Sequence, residues 1–303
     1  MGIKKLAILG PTASGKTSLA INLAKKYQAT ILSLDSLSIY KDINIASAKP
    51  TLEERGDIPH FGIDEITPNE LFSVKDFFKL YKKAYNFAKE HKKPLIIVGG
   101  SSFYLKAMLE GLSLKPKISP ITAKKVQKEL LNIENAQNLA NSIDKEFVKR
   151  VEKYDKYRLE KWLELFFETG EIPTLYQKRN KEAPIIESIE IFEIEIDRGE
   201  LRELLKIRTQ KMLNDGLVKE VECLIKTYSL SPSCQKAIGI KESIEYLEKK
   251  IDLNTLFEKI VVNSARLAKR QQTFNKTQFK TNKTRAPLNA LKHEIENYLT
   301  QYL

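Results

Sequence analysis

Residues 10–17, GPTASGKT, constrain this chain more than any other stretch. They follow the apolar run Leu6-Ala7-Ile8-Leu9 and precede a helical pattern over residues 18–27. Gly10, Gly15, Lys16 and Thr17 satisfy the spacing G-x-x-x-x-G-K-[ST]. Glycines there permit a tight turn in which successive backbone N–H groups and a helix N-terminus face one anion. Lys16 adds a point charge for a terminal phosphate, and the Thr17 hydroxyl is the expected Mg²⁺ ligand. Gly10, Pro11, Thr12, Ala13, Ser14, Gly15, Lys16 and Thr17 are therefore the expected phosphate loop. Nothing in these residues says whose phosphates they hold.

The surrounding pattern alternates strands with helices. ATILSLDS (29–36) and KPLIIVGG (93–100) read as buried parallel strands, and residues 72–91 as a long amphipathic helix. Such alternation predicts an α/β fold whose ligand lies at the strands' C-terminal ends. The texture changes after LKPKISP (114–120): residues 121–180 carry helical patterns only, with one helix ending at Gly170. IEIFEIEID (189–197) returns as a strand, and Asp197 with Glu200 forms a capping box opening the next helix. The rest is mainly helical. The expected organisation is a first core part over 1–115, a helical insertion over 116–187, and completion of the core over 188–303.

A nucleoside-triphosphate hydrolase normally ends an apolar strand in a metal-organising aspartate. Here the strand PLIIVGGSS ends in Gly99-Gly100-Ser101-Ser102, without a carboxylate. The acid stands instead at Asp35, on the other strand. Two chemistries fit: proton removal from a kinase acceptor, or from an amine attacking a carbon that carries diphosphate.

With 303 residues, 42% hydrophobic, the chain has ample core material, and no apolar run nears the roughly 20 residues that span a bilayer. No membrane association is expected. Cys223 and Cys234, the only cysteines, fit no disulfide scaffold or metal spacing and read as buried, idle thiols in a reducing cytoplasm. The net charge of +12 favours a polyanionic partner. From Lys259 to Arg285 the chain carries many cations and no Asp or Glu, with Arg266, Lys269 and Arg270 on one helix face and Phe274 and Phe279 interleaved. That is a phosphate-backbone footprint. His60, His91 and His293 are scattered and assigned no metal; Trp162 sits among apolar helix positions and reads as core.

GPTASGKT, SLDSLSIYKDINIASAKP, LIIVGGSSFYLKAMLEGL, YRLEKWLELFFETG, AIGIKE and RLAKRQQTF, in that order, resemble the tRNA dimethylallyltransferases, also called tRNA isopentenyltransferases. The resemblance spans residues 6–275 or so. It implies a P-loop NTPase-like parallel sheet core, similar to nucleoside and shikimate kinases, with a helical insertion domain. It further implies transfer of a dimethylallyl group from dimethylallyl diphosphate to N6 of the adenine at position 37, in tRNAs reading codons that begin with U. The implied partners are the tRNA anticodon stem-loop and dimethylallyl diphosphate, with Mg²⁺ as cofactor; a cytoplasmic monomer is expected. A P-loop small-molecule or nucleoside kinase is the alternative.

By that resemblance Asp35 is the general base, and Lys16, Arg208 and Ser101 complete the catalytic group around the diphosphate. Asp35, Ser36, Leu37, Ser38 and Ser101 would meet the flipped adenine and its neighbours. Tyr157, Arg158, Leu159, Glu160 and Lys161 match a segment that contacts the anticodon loop, and Arg266, Lys269 and Arg270 complete the expected tRNA contacts. The sequence departs from the family pattern at Ser101 (usually threonine), Ile240 (usually tyrosine) and Phe274 (usually tryptophan). No zinc-finger extension of the eukaryotic kind is seen, so the bacterial type is the nearer match.

Overall fold

Four consecutive residues, Leu6 to Leu9, are each fully buried, which requires a strand covered on both faces. In the computed structural model, which describes residues 2–301, they belong to β1 (Lys5–Leu9). The other strands are β2 (Thr30–Leu34), β3 (His60–Phe61), β4 (Leu95–Gly99), β5 (Glu190–Ile194) and β6 (Lys283–Ala286). They form one sheet in the order β3-β2-β4-β1-β5-β6, and every pairing is parallel. β1 pairs with β4 from Lys5↔Leu95 to Leu9↔Gly99, and β4 pairs with β2 from Leu95↔Thr30 to Gly99↔Leu34. The C-terminal ends of three central strands thus finish level, and the loops that follow them share one edge. The helices Lys16–Tyr27 and Leu288–Thr300 pack against this sheet, bringing Leu19, Leu23, Leu291 and Ile295 into one apolar cluster with Ile8, Ile96 and Phe192.

Packing divides the chain into two units, one of residues 1–109 with 186–303 and one of residues 110–185. The sequence pattern places the changes at 115/116 and 187/188, where composition shifts. In the first unit, the helix Arg198–Asn214 is opened by Asp197, whose Oδ1 accepts from the N–H of Gly199 (2.6 Å) and Glu200 (3.2 Å). Two strands escape the sequence reading. β3 has only two residues, and β6 (KTRA) shows no apolar alternation because it is an edge strand carrying charge. Its cations are answered across the ladder: Lys283 lies 3.1 Å from Glu193, and Arg285 3.6 Å from Glu195.

The second unit is helical, as its pattern predicts. Val126, Leu130, Ala140, Leu159, Trp162 and Leu163 form its core. The helix Lys156–Thr169 ends at Gly170 in the left-handed conformation, φ 69°. Trp162 is a core residue, 2% exposed. Its indole Nε1–H donates to Oδ2 of buried Asp144 at 3.0 Å; the Thr174 N–H donates to the same oxygen (3.0 Å) and the Phe147 N–H to Oδ1 (3.0 Å). Desolvation pushes the Asp144 carboxyl up, but these donors outweigh it and hold it below the ordinary aspartate range. A carboxylate with a depressed folded value contributes stability that is complete at neutral pH and is lost as pH falls through that value. Asp144→Ala strands three donors and is expected to cost roughly 2–5 kcal/mol, read by chemical unfolding of the whole chain. The difference from the parent should shrink on acidification below the ordinary aspartate range.

Candidate active site

The phosphate loop connects β1 to the helix Lys16–Tyr27, with Gly15 at the cap in the left-handed region, φ 81°. Ala13 also adopts positive φ (66°) and packs on the cluster of Leu201, Leu205 and Ala268, which fixes the loop's outer bend to two later helices. Lys16 Nζ donates to the Pro11 carbonyl at 3.1 Å. Burial pushes the Lys16 ammonium down to about 8; Asp35 opposes that shift and Arg208 reinforces it. These two therefore lie within electrostatic reach of the lysine. Arg208, on the helix Arg198–Asn214, is itself lowered by desolvation and raised by Asp35. Lys16, Thr17, Asp35, Ser101 and Arg208 all line one cavity of about 610 Å³.

Asp35 follows β2 directly and starts a tight turn. Its Oδ1 accepts from the N–H of Leu37 (2.8 Å) and Ser38 (3.2 Å), which fixes the carboxylate's orientation. The Ser36 N–H donates to Ser101 Oγ at 3.2 Å, and the Ser101 N–H donates to the Leu34 carbonyl at 3.0 Å. Ser101 is thus a strut between the ends of β4 and β2. Gly99 is needed for space, since a Cβ there would stand 2.2 Å from the Leu34 carbonyl oxygen; a Cβ on Gly100 would stand 2.2 Å from Gln271 Nε2 and displace that side chain. A carboxylate in the usual hydrolase place has no room here.

Gln271 is a residue the sequence reading overlooked. Its Nε2 donates to the Gly100 carbonyl (3.2 Å) and its Oε1 accepts from the Thr12 N–H (3.1 Å), bridging the glycine pair to the phosphate loop. That bond occupies the Thr12 amide, and the Ser14 amide donates to Pro11 at 3.3 Å, so those two amides of the expected cradle already have partners. Gln271 is neutral and stands in a run read for its charge. The usable signal was spacing: Ile260, Ser264, Leu267, Gln271 and Phe274 of the helix Leu253–Gln278 all line the cavity, at one helical period.

The expected tRNA contacts separate. Asp35, Ser36, Leu37, Ser38, Ser101 and Arg270 line the cavity. The Ser38 hydroxyl is buried and engaged, 3.0 Å from Ser33 Oγ and 3.4 Å from the Gly62 carbonyl. Arg266 and Lys269 are exposed on the same helix. Leu159 is a correction: it is fully buried in the core of the helical unit, so its side chain cannot meet RNA. Tyr157 is 69% exposed, whereas Arg158 pairs with Asp155 (2.9 Å) and Lys161 with Glu164 (2.6 Å) and Glu160 (3.6 Å). The acid-free run is also less free than it reads. Lys259, Lys283 and Arg285 pair with Glu245, Glu193 and Glu195, and Phe279 is buried, because folding supplies partners from outside the run. Cys234 is buried as expected, but Cys223 is exposed.

The family model of IPP transferase matches residues 38–278. The chain belongs to the IPP transferase family. It is 51% identical over 291 residues to the tRNA dimethylallyltransferase of Nautilia profundicola, covering 95% of this chain and 98% of that one. It is 49% identical over 278 residues to the protein of that name from Sulfurovum sp. (strain NBC37-1), covering 91% and 92%. Among solved structures it is similar to the tRNA delta(2)-isopentenylpyrophosphate transferase of Staphylococcus epidermidis, with TM-score 0.68, 29% identity, and coverage of 99% of this chain and 100% of that one. No described helix is long and apolar enough to cross a membrane.

The shift at Lys16 has a measurable consequence. Its ammonium is charged below about pH 8 and neutral above it. Affinity for inorganic diphosphate should therefore fall as pH rises through about 8, beyond any titration of the ligand itself. Lys16→Ala should bind more weakly and lack that step, as isothermal calorimetry across pH would read.

Proposed function

We propose that this chain transfers a dimethylallyl group from dimethylallyl diphosphate to N6 of the adenine at position 37 in tRNAs reading codons that begin with U. The observation that carries this reading is the convergence of Asp35, Lys16, Arg208 and Ser101 on one cavity, beside a strand end that has room for no hydrolase carboxylate. The names of the curated relatives support it.

The N6 lone pair is delocalised into the purine ring, so the amine is a weak nucleophile until its proton is leaving. Asp35 Oδ1 is held by two amides, which leaves Oδ2 to take that proton. As N6 bonds to the allylic carbon, the carbon–oxygen bond breaks and its electron pair leaves on diphosphate. The charge gathering on those oxygens is met by Lys16 and Arg208, whose partial desolvation strengthens their pull. Ser101 keeps the Asp35 turn in register through the Ser36 amide. Arg270, at the cavity, and exposed Arg266 and Lys269 supply cations for the RNA backbone.

The donors present fit Mg²⁺. Thr17 brings an oxygen ligand to the cavity, where the Ser102 hydroxyl is buried without a partner, as is the Ser14 hydroxyl in the loop. Mg²⁺ accepts few protein ligands and completes its shell with water and phosphate oxygens. Held by Thr17, it would neutralise charge on the departing diphosphate. The basic balance and the RNA substrate fit a cytoplasmic protein, and one chain contains every residue invoked, consistent with a monomer.

Purified protein given dimethylallyl diphosphate and unmodified tRNA should yield N6-(dimethylallyl)adenosine. Asp35→Asn, which keeps an acceptor but cannot take the proton, should slow single turnover by roughly 10²–10⁴-fold while both substrates still bind. Transfer of a γ-phosphoryl group from ATP to a small acceptor, with no prenylated RNA, would overturn the reading.

A further inference from the structure

The segment from Tyr40 to Pro50 forms one wall of the cavity through Ala46, Ser47, Ala48, Lys49 and Pro50. It has no helix or strand ladder to satisfy its backbone, apart from an isolated bridge at Tyr40. Two residues in it, Asp42 (φ 61°) and Ala48 (φ 48°), hold the left-handed conformation that side chains disfavour. Some of its polar groups are satisfied internally, the Ala48 N–H by the Ile45 carbonyl (3.0 Å) and the Ser47 hydroxyl by the Ile43 carbonyl (2.6 Å), but the N–H groups of residues 44–46 need a partner from outside the segment.

That role falls to the helix Leu217–Thr227. Glu220, in its first turn, accepts three backbone N–H groups: Asn44 and Ile45 donate to Oε2 at 2.8 Å each, and Ala46 donates to Oε1 at 2.9 Å. Eight residues on, the Tyr228 hydroxyl donates to Asp42 Oδ2 at 2.6 Å. One helix and its C-terminal cap therefore grip residues 42–46 at both ends. The opposite side of the segment is held by Lys49, whose ammonium donates to the Tyr40 carbonyl (3.0 Å) and pairs with Asp64. Glu220 itself does not line the active cavity, yet the residues it holds run directly into that wall.

We propose that Glu220 is a positioning residue: it latches the 42–46 backbone so that the wall from Ala46 to Pro50 is set for the acceptor, and it contributes to the chemical step without touching substrate. This rests on the prenyl-transfer reading above. Charge-assisted bonds from one carboxylate to three consecutive amides define a single loop geometry, and displacement of a positioning wall by about 1 Å can cost on the order of 10²-fold in rate.

The test compares Glu220→Ala, Glu220→Gln and Tyr228→Phe with the parent and with Glu222→Ala, a control two residues along whose carboxylate pairs with Lys226 on the helix surface. Three quantities are read: amide hydrogen exchange at residues 44–46, affinity for inorganic diphosphate, and single-turnover prenyl transfer at saturating substrates. Glu220→Ala should speed exchange at these amides and lower the single-turnover rate by about 10–10²-fold, with diphosphate affinity within about twofold of the parent. Glu220→Gln keeps one acceptor but turns an N–H₂ toward a donor, so it should fall between. Tyr228→Phe, which leaves all three amide bonds intact, should show the same pattern at smaller size, and Glu222→Ala should match the parent. A Glu220→Ala protein with parental turnover, or with diphosphate affinity falling in step with rate, overturns the inference. If the unsubstituted protein transfers no prenyl group, the functional reading falls instead.

Discussion

The site depends on the contact between Gly99 and the carbonyl of Leu34, where β4 and β2 finish side by side with no space for a side chain. That approach lets the Ser101 N–H reach the Leu34 carbonyl and lets Ser101 Oγ receive the Ser36 N–H. The Asp35 turn is thereby tied to the end of a neighbouring strand as well as to its own. Gly100 extends the same economy toward the phosphate loop, since its missing side chain is where Gln271 passes to reach Thr12. The Asp35 turn, the strand ends and the loop of residues 10–17 are one hydrogen-bonded unit.

The electrostatics follow from that compactness. Lys16 and Arg208 are both drawn down by desolvation and both drawn up by Asp35. Asp35 is the one carboxylate among the described lining residues, against Lys16, Arg208, Lys236 and Arg270, which leaves the cavity with unspent positive charge suited to an anionic ligand. A diphosphate that gains charge as it leaves meets this need better in the transition state than in the ground state.

Much of this was legible in the sequence, for identifiable reasons. The phosphate loop is a local motif, and β1 and β4 announce themselves as unbroken apolar runs because parallel strands are buried on both faces. The strand β6 was not legible, since its KTRA residues make sense only beside Glu193 of β5 and Glu195 just after it. Leu159 was misplaced because a matched segment of helix contains both outward and inward positions, and only packing tells them apart. Gln271 and Glu220 share another cause of invisibility: each acts on backbone groups far away in sequence, so neither belongs to a pattern of side chains. The same long range explains why Lys259 read as free charge although Glu245 neutralises it.

The central claim is that the cavity breaks a carbon–oxygen bond and makes a carbon–nitrogen bond, with the phosphate loop holding the leaving group throughout. Dimethylallyl diphosphate carrying ¹⁸O at the oxygen bridging carbon and phosphorus tests it directly, with mass analysis of both products after one turnover on unmodified tRNA. The account predicts that all the label leaves in diphosphate and that the modified adenosine gains a five-carbon group on N6 without label. Label or phosphorus retained on the RNA would contradict it.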